Sequence, residues 1–66
     1  MLGERLEKAR VAKGMSQNEL AKELGITQAA YWYFENNEKS PSLPVAKRLA
    51  TILGVSLDYL AGLEKE

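Results

Sequence analysis

The chain has 66 residues, nine of them basic and nine acidic, with no cysteine and no histidine. Disulfide stapling is therefore excluded, and the two commonest transition-metal ligands are absent, so no metal and no cofactor is expected. One small core is the most that such a length supports, and without staples it depends on close helix packing or on a partner subunit.

The punctuation of the chain predicts five helices in a single domain over 1–66. In the first, over 2–13, Leu2, Leu6, Ala9 and Lys13 share one side, and Gly14 follows where a left-handed residue closes a helix. Ser16 and Glu19 form an S-x-x-E capping box for the second helix, which runs to Leu24 and stops at Gly25. Thr27 caps a third helix that reaches about Asn36. The stretch from Asn37 to Ser42 is polar, and Pro41 blocks helix continuation. Ser42 caps a fourth helix, tolerates Pro44 in its first turn, and ends at Leu53 before Gly54. Ser56 caps a short fifth helix from Leu57 to about Leu63, with Asp58 well placed against the dipole.

No run alternates with a period of two, so the class is all-α. Leu6, Leu20, Leu24, Ile26, Leu49, Ile52, Leu53, Val55, Leu57 and Leu60 are the expected core, in a ring of short helices rather than a coiled coil. No apolar run is long enough to span a bilayer, and the stretch from Met1 to Arg10 is too charged for a signal peptide. A cytoplasmic chain with no membrane partner is the expectation.

The segment from Ser16 to Gln28 is the most informative. A capped helix, a glycine turn and the cap of a second helix follow one another almost without linker, which is the layout of a helix-turn-helix over about 16–36. Leu20, Ala21 and Leu24 face inward, Gly25 takes the sharp turn, and Ile26 plugs the corner. At about 100° per residue, Ala30, Tyr31 and Phe34 fall on one arc of the third helix, facing the core. Gln28, Ala29, Trp32, Tyr33 and Asn36 fall on the other, where a partner would touch.

Ser16-Gln17-x-Glu19-Leu20-Ala21-x-x-Leu24-Gly25-Ile26-Thr27-Gln28, then Phe34-Glu35-Asn36, resembles the phage repressor/Cro-like helix-turn-helix (XRE) family. Pro41-Ser42-Leu43, Leu49-Ala50 and Leu53-Gly54-Val55-Ser56-Leu57-Asp58 extend the likeness from about Leu2 to Leu63. The resemblance implies a compact five-helix, lambda-repressor-like domain that binds double-stranded operator DNA as a homodimer, with helix 28–36 in the major groove. It implies a transcriptional regulator, more readily a repressor than an activator, with no small-molecule ligand.

Carried over by position, the resemblance implies that Gln28, Ala29 and Tyr33 read bases. Glutamine can bond adenine N6 and N7 together, and an alanine can touch a thymine methyl. Gln17, Thr27, Trp32, Asn36 and Lys39 are expected at the DNA backbone. Arg10 and Glu35 are implied to form a partly buried ion pair that fixes the third helix against the first. Pro44, Val55, Leu57 and Tyr59 are implied at the dimer interface, with Tyr59 as its exposed anchor.

The sequence also departs from the family pattern. Asn37 stands where glycine is usual, although asparagine tolerates the left-handed region. Glu38 stands where lysine is common. The outer arc of the third helix holds no cation, so basic support rests on Lys13, Lys22, Lys39 and Arg10. Reading through adenine–thymine contacts, methyl packing and shape is expected over arginine–guanine pairs.

Two further readings stand beside this one. Trp32 and Tyr33 suit a protein-interaction module of the same fold, since exposed apolar clusters mark interfaces. A sensor domain beyond Glu66 is the other, and the end from Leu63 to Glu66 is compatible with a linker start. An enzyme is not expected: no histidine or cysteine is available as base or nucleophile, and the carboxylates are scattered.

Overall fold

The computed structural model describes residues 2–63. It contains five helices and, among the described residues, no strand: α1 Leu2–Ala12, α2 Gln17–Leu24, α3 Gln28–Glu35, α4 Leu43–Leu53 and α5 Leu57–Ala61. Their packing closes a ring. α1 packs on α3, α3 on α2, α2 on α4, α4 on α5, and α5 returns to α1.

Local chemistry sets the helix ends. The hydroxyls of Ser16, Thr27, Ser42 and Ser56 each accept a backbone N–H three residues on. At Ser16 the box is complete, because the Glu19 carboxylate accepts the Ser16 N–H at 2.8 Å. That hydrogen bond also holds the Glu19 carboxyl below the usual range. Gly25, at φ 75°, turns the chain out of α2 in the left-handed region. The expectation for α5 is corrected here. It ends at Ala61 and not near Leu63, because Gly62 takes φ 82° and the Leu63 N–H turns back to the Asp58 carbonyl at 2.9 Å. Of the expected linker start from Leu63 to Glu66, all but Leu63 lies outside the described residues.

The core consists of Leu6, Ala9, Leu20, Ala21, Leu24, Tyr31, Leu49, Ala50, Leu53 and Leu60. Ile26, Ile52, Val55 and Leu57, expected inside, are half-buried at its rim instead. Three alanines occupy interior positions, since ring closure brings short helices close and leaves little room for branched side chains there. Each fully buried large aliphatic contributes about 1.5–3 kcal/mol. With so few of them, the polar contacts between helices weigh heavily.

Candidate nucleic-acid interface

Both ends of α3 are tied to other helices. Tyr31, with no exposed surface, points its ring into the core and edges against Phe34 at 6.3 Å between centroids. Its hydroxyl donates to Glu35 Oε2 at 2.5 Å. Arg10, from α1, donates to the same carboxylate through Nε at 2.6 Å and Nη2 at 3.3 Å. Gln17, from α2, donates to Oε1 at 3.0 Å. Three elements therefore converge on one carboxylate whose side chain is only 4% exposed.

Burial of Glu35 works to raise its pKa. The hydrogen bonds from Arg10, Tyr31 and Gln17, with the Arg10 charge, outweigh that and hold the carboxyl below its ordinary range. The hydrogen bond to Glu35 raises the Arg10 pKa in turn. Burial, then the bond to Glu35, pushes the Tyr31 phenol far upward. All three groups keep their hydrogen-bonding states across the physiological range.

The network continues to the surface. Gln28 Nε2 donates to Gln17 Oε1 at 2.7 Å. A primary amide has two N–H donors and a carbonyl acceptor. Once bonded to Gln17, Gln28 still offers one N–H and its carbonyl oxygen, the set that an adenine edge requires. Gln17 keeps one N–H at the start of α2, where the helix dipole adds positive character. Thr27 uses a lone pair to cap Ala30 at 3.1 Å and keeps its hydroxyl proton for a partner.

Gln28, Ala29, Trp32, Tyr33 and Asn36 are all exposed, on the arc predicted. Trp32 and Tyr33 remain 40% and 36% exposed and meet edge to face at 5.5 Å. Lys39 Nζ stands 5.1 Å from the centroid of the Tyr33 ring. Asn36 folds its amide back to the Trp32 carbonyl at 3.0 Å.

Two expected roles change. Arg10 gives no basic support to the outer surface, because its guanidinium is committed to Glu35 and to the Met15 carbonyl at 2.8 Å. Tyr59 is not a freely exposed anchor. It is half-buried, with the Arg5 guanidinium 4.8 Å from its ring and Arg5 Nη1 donating to its carbonyl. Pro44 is exposed, whereas Val55 and Leu57 are half-buried against the core.

Two participants, Tyr31 through its hydroxyl and Gly3, escaped the sequence reading, as did one contact of Asn37, whose left-handed backbone was expected. The Tyr31 hydroxyl stands four residues before Glu35, one helical turn, and that spacing was the available signal. Gly3 lets α1 approach α3, since a β-carbon there would lie 2.1 Å from the Glu35 carbonyl oxygen. Asn37, at φ 59°, also accepts the Gly3 N–H at 3.1 Å. No local pattern announces these last two contacts, because their partners lie more than thirty residues apart.

Residues 6–60 match the family described as "Helix-turn-helix". The chain is 47% identical over 60 residues to a prophage-derived HTH-type transcriptional regulator of Bacillus subtilis, YonR, covering 91% of this chain and 56% of that protein. It is 40% identical over 60 residues to the HTH-type transcriptional regulator YqaE of the same organism, covering 91% and 52%. With the HTH-type transcriptional regulator ImmR, also of Bacillus subtilis, identity is 34% over 61 residues, covering 92% and 48%. The chain thus spans about half the length of these curated relatives. With capped α2, the Gly25 turn and capped α3 in place across the matched region, the chain belongs to the helix-turn-helix family of the phage repressor/Cro (XRE) type.

Proposed function

We propose that this chain binds double-stranded DNA sequence-specifically, as the DNA-binding part of a transcriptional regulator, with α3 in the major groove. The observation that carries this is Gln28. It stands exposed at the start of α3, braced by Gln17, with one donor and one acceptor free. Ala29 and Tyr33 complete the base-reading set. Gln17, Thr27, Trp32, Asn36 and Lys39 serve the sugar-phosphate backbone. The regulatory names of the relatives support the same role, and a repressor acting in the cytoplasm is the form of it proposed. Dimerisation through Pro44, Val55, Leu57 and Tyr59 on a two-half-site operator is part of this reading.

Selection from a randomised duplex library at two salt concentrations tests it. Enrichment of a two-fold symmetric sequence, with half-sites about one helical turn apart, is the expected result. With Lys13, Lys22 and Lys39 as the proposed phosphate contacts, log affinity should fall against log salt with a slope of about −3 per protomer. Absence of enrichment, with weak binding lost at moderate salt, would favour the second reading. There the exposed Trp32–Tyr33 pair is a protein-docking surface.

A further inference from the structure

A helix leaves its last four carbonyls without partners inside the helix. In α2 these belong to Ala21, Lys22, Glu23 and Leu24. The turn satisfies the first two: Ile26 N–H donates to Ala21 at 3.0 Å and Gly25 N–H to Lys22 at 3.1 Å. The other two are taken from outside. Arg48, on α4, donates through Nη2 to the Glu23 carbonyl at 2.7 Å and through Nη1 to the Leu24 carbonyl at 3.0 Å. Its charge also opposes the negative end of the α2 dipole.

The position of this fork matters. Leu24 is followed by Gly25, Ile26 and Thr27, and then by Gln28. Arg10 grips the Met15 carbonyl just before α2, and Arg48 grips its last two carbonyls. α2 is thus held at its entrance by α1 and at its exit by α4. We propose that Arg48 is a positioning residue for base reading: by clamping the exit of α2 it fixes the turn that sets Gln28 against Gln17. This rests on the DNA-binding reading above. A planar fork reaches two adjacent carbonyls, which a lysine ammonium cannot do with the same geometry.

The test compares Arg48→Met, which keeps an unbranched stem without the donors, with Arg48→Lys, which keeps the charge without the fork. Amide hydrogen exchange on the free protein comes first. In Arg48→Met, exchange at Gly25 and Ile26 should rise about tenfold or more while the α1 amides keep their protection, showing an intact fold. Affinity is then measured for a library-selected duplex and for a scrambled one. The selected-over-scrambled ratio should fall about tenfold in Arg48→Met, with scrambled-duplex affinity unchanged within about twofold, and Arg48→Lys should recover part of the ratio. Unchanged exchange at Gly25 and Ile26 would overturn the clamp. Raised exchange with an unchanged ratio would overturn the positioning role and leave Arg48 merely structural. If the unaltered protein does not discriminate the two duplexes, the DNA reading falls and takes the role in base reading with it, while exchange still decides the clamp.

Discussion

The two faces of α3 share eight residues and one backbone, yet they are built in opposite ways. On the inner face, Tyr31 and Glu35 have their polar atoms engaged by other side chains, and Phe34 packs on the core. On the outer face, the ring contacts and hydrogen bonds of Trp32, Tyr33 and Asn36 among the described residues go to near neighbours in sequence, and Gln28 bonds to Gln17. The inner face is determined by the rest of the chain. The outer face is exposed, which leaves surface on its residues for a partner. The Gln17–Gln28 bond is where the two meet, since Gln17 touches Glu35 on one side and Gln28 on the other.

That contrast breaks most severely at Glu35. Glu35→Gln leaves Arg10 with an unpaired, mostly buried charge, and the expected loss is roughly 3–5 kcal/mol of stability. In a domain this small the protein would be close to unfolding at ambient temperature, which urea denaturation followed by circular dichroism would reveal. Tyr31→Phe removes one charge-assisted hydrogen bond and leaves the ring in place. It should cost about 1.5–3 kcal/mol in the same assay. For Gly3→Ala, the added methyl meets backbone at Glu35, so something must shift. Overpacking of about 1–3 kcal/mol is expected, lowering the melting temperature despite the better helix propensity of alanine.

On the outer face the prediction reverses. Gln28→Ala should change stability by no more than about 0.5 kcal/mol. It should still cost about 1–3 kcal/mol of discrimination at one base pair, read by competition between duplexes differing only there. Gln17→Ala is the sharpening variant. It should weaken binding to all sequences and also loosen Gln28, because Gln17 belongs to both faces.

The smallest effect is in acid. The Glu35 pKa is depressed in the folded state, so its contribution is present above the unfolded carboxyl value of about 4.3 and fades as pH falls through the lower folded value. Thermal melts from pH 6 down to pH 2 should show stability falling below about pH 4.3. That acid limb should be shallower in Glu35→Gln, provided a stabilising osmolyte keeps the variant folded.

What the sequence made legible follows the range of the interactions. The caps at Ser16, Thr27, Ser42 and Ser56, and the turn at Gly25, are local chemistry and could be read residue by residue. The outer arc of α3 followed from helical geometry alone. The Arg10–Glu35 pairing reached the sequence reading only through family resemblance, since nothing local joins residues 25 positions apart. The contacts of Arg48 with α2 and of Gly3 with α3 had no such guide. The cover that Arg5 lays on Tyr59 lay equally out of reach, since the two residues stand 54 positions apart.

The central claim is that the outer face of α3 reads DNA, and the most direct measurement is amide shift mapping on titration with a library-selected duplex. Perturbations should concentrate at Gln17, at 27–29, at Trp32, Tyr33 and Asn36, and at Lys39, with the side-chain amides of Gln17 and Gln28 moving most. Perturbations that avoid α3, or none beyond those a scrambled duplex produces, would contradict it.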